Sequence, residues 1–371
     1  MHLPRLQPIR RLAVIGLAAL CGCQPALPIK VGFIGGLSGR VSDLTVDARN
    51  GTQLAIETLN AKPEGPRYEL HSHDDGHSAD QGPAVIDAIA DEGDAFAIGP
   101  LISTIAKGMA PEASKRHLVL ISPTANADEL SGIDDWFFRV IPTAGPGADQ
   151  LAEAAIARGL KSAAVMAEWH NRIFSESFTH RFDTRFQALG GTPSRVVRYE
   201  TDQNPDYAAI AAQLLASHPR LVLLVCSAVD AAIVSQHLRR LDPGVQIAMS
   251  SWAANAQLLQ LGGRAVEGAL VMQVLDLDSQ APAYVEFRKR FIDRFGNTPS
   301  QGAVFSYDAT MMAAEGLRRK SDSQSLRDVL RAPGSWPGLQ QPLVLDRFGD
   351  SVGRVHLSEV HAGRFVMLKN L

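Results

Sequence analysis

What most constrains the fold of this chain is a rhythm. Short, continuously apolar segments alternate with stretches whose apolar residues recur every three or four positions. Residues 29–34 read as a strand running into Gly35-Gly36, and a helix follows with Leu44, Ala48, Gly51, Ala55 and Leu59 on one face. A second strand is expected at 68–71 and a second helix around Val85, Ile86, Ile89 and Ala90. Strands at 96–98 and 118–121 follow, with a helix over about 104–115 between them. Strands that are apolar throughout, rather than at alternate positions, must be covered on both faces. The pattern therefore implies a parallel sheet flanked by helices.

Near Pro142-Thr-Ala-Gly-Pro146 the rhythm starts again. A helix carrying Ala148, Leu151, Ala152 and Ala155 stops at Gly159, and strands are expected at 163–166, 195–198, 221–225, 246–249 and 269–272. Helices are expected between them at 175–189, 207–217 and 229–241, and the polar stretch 276–280 reads as a crossover. Helix 282–295 presents Tyr284, Phe287, Phe291 and Phe295 as an aromatic stripe at helical spacing, which reads as core packing. A helix over 303–319 follows, and the C-terminus changes to short strands with Gly-Asp turns at 342–346, 355–357 and 364–368. The expected body is α/β: two doubly wound, Rossmann-like parallel-sheet lobes with a small β tail.

The first residues do not belong to that rhythm. Arg5, Arg10 and Arg11 precede an apolar run over 12–20, the pattern of a signal peptide and too short to span a bilayer. The following Leu20-Cys21-Gly22-Cys23 resembles the bacterial lipobox. That resemblance makes Cys23 the lipidation site, with residues 1–22 removed and 23–28 left as a tether; two or three acyl chains anchor firmly. Of three cysteines only Cys226 then remains, within an apolar strand, so no internal disulfide is available and Cys226 reads as a small core residue. Gln24 after the lipidated position favours the outer membrane slightly.

Ile29-Lys-Val-Gly-Phe-Ile-Gly-Gly-Leu-Ser-Gly39 resembles the first strand and Gly-rich turn of the type I periplasmic solute-binding proteins, in the branched-chain amino acid (Leu/Ile/Val)-binding family of ABC transporters. Ile98-Gly-Pro-Leu-Ile-Ser-Thr104 and Leu120-Ile-Ser-Pro-Thr-Ala-Asn126 follow at that family's spacing, and Leu345-Asp-Arg-Phe-Gly-Asp350 and Gly363-Arg-Phe-Val366 resemble its terminal hairpin. The resemblance spans about residues 29–368. It implies a three-segment hinge, with 29–144 plus 276–338 forming lobe 1 and 145–275 plus 339–371 forming lobe 2.

Ligands of open α/β sheets bind beyond the carboxyl ends of the strands. Ser103 or Thr104, between a strand end and a helix start, reads as an N-cap whose neighbouring N–H groups attract a carboxylate. The resemblance implies that Ser103, Thr124 and Asn126 hold a ligand's carboxylate and amine; Ser227 is a further ligand-binding candidate. That lobe departs from the family: Phe174 stands where many members carry Tyr, and Ser251-Trp252 lies where an acid pairs the ligand's amine. A buried ammonium without a partner costs several kcal/mol. Trp252, Phe174, Trp169 and Tyr307 instead offer aromatic walls for an apolar or aromatic acid.

His71-Ser-His73-Asp74-Asp75-Gly-His77 carries metal-ligand residue types. An Asp-Asp pair at this strand end is a feature of the resembling family, so the histidines read as exposed surface residues and no metal or cofactor is expected. Glu129, Asp134 and Asp135 form no defensible catalytic pair, Ser122-Pro-Thr is not a nucleophile elbow, and no phosphate-binding Gly motif occurs. With 36 basic against 39 acidic residues there is no electrostatic footprint for nucleic acid. The expectation is a periplasmic, lipid-anchored, non-enzymatic receptor that passes a small organic solute (amino acid-like, an amide, or an aromatic or apolar carboxylate) to an ABC permease. The alternative is a regulatory lipoprotein of the same fold acting on a cell-wall enzyme or sensor.

Overall fold

The computed structural model describes residues 27–38 and 43–368. The expected signal peptide and the lipidated Cys23 lie outside the described residues. The chain opens with β1 (Ile29–Gly35), α1 (Asp43–Asn60), β2 (Tyr68–Asp74), α2 (Gly82–Glu92), β3 (Phe96–Ile98), α3 (Ser103–Lys115), β4 (Leu120–Ser122) and β5 (Phe137–Arg139). These strands form a parallel sheet in the order β2-β1-β3-β4-β5. Val31, Phe33, Phe96, Ile98 and Ile121 are buried on one face; Ile34, Ala97 and Leu120 are buried on the other. Burial on both faces is why the strands lack polar alternation.

The chain then crosses to a second sheet. It contributes α4 (Gly145–Ala157), β6 (Ala163–Glu168), α5 (Arg172–Ala188), β7 (Arg195–Tyr199), α6 (Tyr207–Leu215) and β8 (Leu221–Val225). After these come α7 (Ala228–Leu241), β9 (Gln246–Met249), α8 (Ala256–Gly262) and β10 (Leu270–Gln273). A second crossing leads back to α9 (Pro282–Phe295), α10 (Gln301–Arg319) and α11 (Leu326–Arg331) on the first lobe, where α10 lies against α1. A third crossing ends in the antiparallel strands β11 (His356–His361) and β12 (Arg364–Met367). The second sheet runs β12-β11-β10-β9-β8-β6-β7, parallel from β10 through β7.

The crossings lie side by side. Pro142 bridges Ser351, and Gln340 exchanges hydrogen bonds with the Asp276 backbone (3.1 and 2.6 Å). Two doubly wound lobes joined by a three-segment hinge are thus observed. The expected start of lobe 2 at residue 339 is corrected for the segment up to about 355. Leu343 pairs with Trp336, Asp350 with Arg139, and Gly349 packs on Phe138, all on the first lobe. The expected strand at 342–346 makes only isolated bridges, because its hydrogen bonds go to the hinge and not to a sheet. Only from β11 onward does the tail belong to the second sheet. The stripe Tyr284, Phe287 and Phe291 is buried, as its spacing implied.

Candidate functional site

In both sheets the strand order reverses beside the first strand, between β1 and β3 and between β6 and β8. Loops diverge at such points and open a crevice at the carboxyl ends of the strands. The two crevices face each other. Their common wall comprises Leu44, Leu101, Ile102, Thr124, Asn126 and Ile141 from the first lobe and hinge, with Gln301 at the start of α10. Asn171, Phe174, Ser251 and Trp252 face them from the second lobe.

The lobes are closed on one another. The Thr104 N–H donates to Asn171 Oδ1 (3.3 Å), and the Ile173 N–H donates to Thr104 Oγ1 (3.1 Å). The Asp128 N–H donates to Ser177 Oγ (3.2 Å), and Gln301 Nε2 donates to the Ser251 carbonyl (3.1 Å). The space left between the lobes here is about 30 Å³, room for one or two waters, and it is partly open to solvent. An organic solute therefore enters only when the lobes separate or the wall shifts.

Thr124 and Trp252 line this cleft, as does Phe174, which is 3 % exposed with its ring edge-on to Trp252 at 6.0 Å. Thr124 and Asn126 are partly committed to the protein: the Thr124 hydroxyl donates to the Leu101 carbonyl (2.7 Å) and Asn126 Nδ2 to the Pro142 carbonyl (3.3 Å). Ser103 stands one step behind the wall. It is the first residue of α3 and not its cap; Ile102 holds the cap position, while Ser103 Oγ accepts from the Ala127 N–H (3.3 Å). Thr104 serves the lobe-to-lobe contact described above.

Three expected residues are elsewhere. Ser227 caps α7, its Oγ accepting from the Asp230 N–H (3.2 Å), which uses the hydroxyl locally. Tyr307 lies six residues along α10 from Gln301, a rotation of about 240° that turns it away from the cleft. Its ring packs on Phe287 at 4.9 Å and its hydroxyl reaches Thr58. Trp169 lies beneath the Arg198 guanidinium (4.7 Å) in a depression with Glu176, His180 and Asp183, on the far side of α5.

Sequence reading missed Asn171 and Gln301. Asn171 sits between β6 and α5, and the strand-end rule used for Ser103 would have found it. Its placement depends on Glu168, whose buried carboxylate accepts from the His170 and Asn171 N–H groups (3.0 and 2.8 Å). Burial pushes the Glu168 carboxyl upward in pKa, and those two N–H bonds oppose the shift. Gln301 carried no sequence signal. It follows a loop whose position only α1 and α10 determine.

Two doubly wound lobes, a three-segment hinge and a cleft between strand ends define a two-lobed binding protein that closes on its ligand. The family model for periplasmic binding proteins matches residues 28–356. The chain belongs to that family, in its type I, branched-chain amino acid group, whose members are solute-binding proteins of ABC transporters. It is 24 % identical over 356 residues to the Leu/Ile/Val-binding protein of Escherichia coli, covering 91 % of this chain and 94 % of that one. It is 26 % identical over 353 residues to the leucine-specific-binding protein of Salmonella typhimurium, covering 92 % and 93 %. The leucine-binding protein structure from Thermotoga maritima superposes with a TM-score of 0.82 at 21 % identity, over 92 % of this chain and 98 % of that one. A solute-binding protein from R. palustris in complex with benzoate gives 0.80 at 20 % identity, over 92 % and 95 %. Among the described residues no helix is long and apolar enough to cross a membrane.

Proposed function

We propose that this receptor captures an aromatic or apolar carboxylate lacking an α-ammonium group. The reading rests on one observation: the described cleft wall pairs apolar side chains with neutral polar ones and includes no acidic residue. Leu101, Ile102, Ile141, Phe174 and Trp252 suit a hydrocarbon or ring, whereas an ammonium enclosed there has no countercharge and costs several kcal/mol. The carboxylate would be received at the start of α3. There Asn171 Oδ1 now accepts the Thr104 N–H, and partial positive charge favours an anion. Ligand then stabilises the closed form by its greater affinity for it. The benzoate named for one structural relative is compatible with this chemistry.

Thermal-shift titration tests the proposal with benzoate, 4-hydroxybenzoate and phenylacetate against leucine, phenylalanine and their amides. The amine-free carboxylates are expected to raise Tm, and Trp252→Ala to weaken them about tenfold, through the aromatic wall it removes. Stabilisation by leucine alone would return the site to amino acids. Silence across the panel would favour the regulatory alternative, a docking protein for a cell-wall enzyme or sensor.

The same reading delivers the solute to an ABC permease from a lipid anchor at Cys23, in the periplasm and with the outer membrane slightly preferred. Cys23→Ala is expected to move the protein from the membrane to the soluble fraction. Unchanged membrane association would remove the anchor from the scheme.

A further inference from the structure

A second constellation lies on the edge strand of the first sheet, apart from the residues that line the cleft. His71 and His73 are two residues apart on the edge strand β2 and so share one face. Their side chains are only 21 % and 13 % exposed, which overturns their reading as exposed surface histidines. Facing them is the turn between α2 and β3. Gly93, in the left-handed conformation (φ 78°), reverses the chain there, and Glu92 and Asp94 both reach the histidines.

The atoms converge. His71 Nδ1 lies 3.4 Å from Glu92 Oε2 and 3.4 Å from Asp94 Oδ1, and His73 Nε2 lies 3.3 Å from Asp94 Oδ2 and 3.8 Å from Glu92 Oε2. Ligand atoms of His71, Glu92 and Asp94 all fall within 4.8 Å of one another. Zinc bonds of about 2.1 Å in a tetrahedron place neighbouring donors about 3.4 Å apart. The contacts of His71 with Glu92 and Asp94 match that spacing, and His73 stands against the other oxygen of Asp94.

Asp94 gives the independent reason to assign a ligand. Its side chain is fully buried and makes no hydrogen bond among the described residues; its oxygens meet only the imidazole nitrogens of His71 (3.4 Å) and His73 (3.3 Å). Buried carboxylates are ordinarily paired, hydrogen-bonded or metal-bound. Gly32 on β1 makes the room: a Cβ there would lie 3.3 Å from Asp94 Oδ2 and 3.2 Å from the Ala97 Cβ. Two further contacts fit a metal centre. Glu69 Oε1 approaches the other ring nitrogen of His71 (3.5 Å), the usual outer partner of a ligating imidazole. Lys30 Nζ donates to the Glu92 carbonyl (2.9 Å) and holds the last turn of α2.

We propose that His71, Glu92 and Asp94 bind one divalent transition-metal ion of the zinc class, with His73 beside Asp94 as the nearest further donor. Imidazole and carboxylate donors at tetrahedral spacing suit zinc and cobalt(II) over magnesium or calcium, which require six or more oxygens. The site is independent of the solute cleft, and its test does not depend on the ligand proposed there.

The experiment uses the full chain without a histidine tag, stripped with EDTA and titrated with zinc chloride by calorimetry and with cobalt(II) by absorption. Expected are one ion per chain, intense visible bands of tetrahedral cobalt(II), and a Tm several degrees higher with zinc. His71→Gln is expected to weaken zinc at least 100-fold and to abolish the bands, and His73→Gln to weaken it less, with circular dichroism checking that both variants fold. Glu69→Gln is expected to weaken it about tenfold and leave the bands in place. His117→Gln, outside the cluster, should change neither readout. Absence of saturable one-to-one binding, or binding that survives the His71→Gln/His73→Gln double variant, overturns the proposal. Weak cobalt(II) bands of an octahedral, water-rich ion overturn it as well.

Discussion

Arg139 has no exposed surface, and each part of its guanidinium is used. Nε and Nη2 donate to Asp350 Oδ1 (2.9 and 2.6 Å), Nη1 to the Ala127 carbonyl (2.8 Å) and Nη2 also to Ser131 Oγ (2.6 Å). Asp350 Oδ2 accepts the Gly132 N–H (2.8 Å). One buried pair thus ties β5, the loop that leads to Asn126, and the returning chain beside the hinge. Arg139→Ala is expected to destabilise the protein by about 3–5 kcal/mol, because it leaves Asp350 as an uncompensated charge. Adding Asp350→Asn should recover part of that loss, and urea denaturation of both variants checks the coupling. Asp308 on α10 differs in kind: burial pushes its carboxyl up to about 8, only partly opposed by the Leu339 N–H that it accepts (3.0 Å). A raised carboxyl pKa means that the folded state holds the proton longer than the unfolded chain. The associated stability is full below about pH 4 and is lost as pH rises toward 8, at no more than about 1.4 kcal/mol per unit. Calorimetry of Asp308→Asn across that range should show a flatter decline, since the amide keeps an acceptor for Leu339. Arg139, Asp350 and Asp308 looked like ordinary charges in the sequence. Nothing in their local spacing revealed partners up to 211 positions away.

At the scale of elements, α1 and α10 pack so closely that a Cβ on Gly51 would lie 2.1 Å from the Ala303 carbonyl oxygen. Gly51→Ala would gain up to about 1 kcal/mol in helix propensity. It would also force two helices apart, at about 1–3 kcal/mol or more. The second effect wins, and a lower urea midpoint is the expected measurement. Gly51 was visible in sequence as part of the apolar face of α1, but its partner helix, more than 240 residues later, was not. Long apolar strands and helices with regular spacing were legible because each reports burial through its own period. Some short elements were not: β5, three residues long, and the helices α8 and α11 were overlooked, although β3 is equally short and was read. For α11 a local signal did exist, the capping box Ser325-to-Asp328. The 342–346 segment was misread as a strand because its apolar residues are buried by the hinge instead of by a ladder.

At the scale of the whole molecule, the closed arrangement rests on hydrogen bonds between the lobes, among them those of Thr104, Asp128 and Gln301, and on Phe174, which packs in one core cluster with Ile105 and Ala127 of the first lobe. Hydrogen bonds contribute about 1 kcal/mol each, so removing two shifts an open–closed equilibrium on the order of tenfold or more. Asn171→Ala with Ser177→Ala is expected to increase the radius of gyration in small-angle scattering, and a stabilising ligand should reverse it. An unchanged radius in both conditions would mean that apolar contact alone holds the lobes shut. The rhythm of apolar segments determined by itself that this chain forms two doubly wound sheets, because periodicity records which faces are buried. The departure at Phe174 and Ser251-Trp252 was also legible there, since an absent acid is visible without coordinates. Tertiary structure alone decided which side chains share a space: that Asn171 and Gln301 line the cleft, that Ser227, Tyr307 and Trp169 do not, and that two histidines meet two carboxylates. Side-chain direction and partner identity depend on how helices and loops from distant parts of the chain are packed, and local spacing does not encode that.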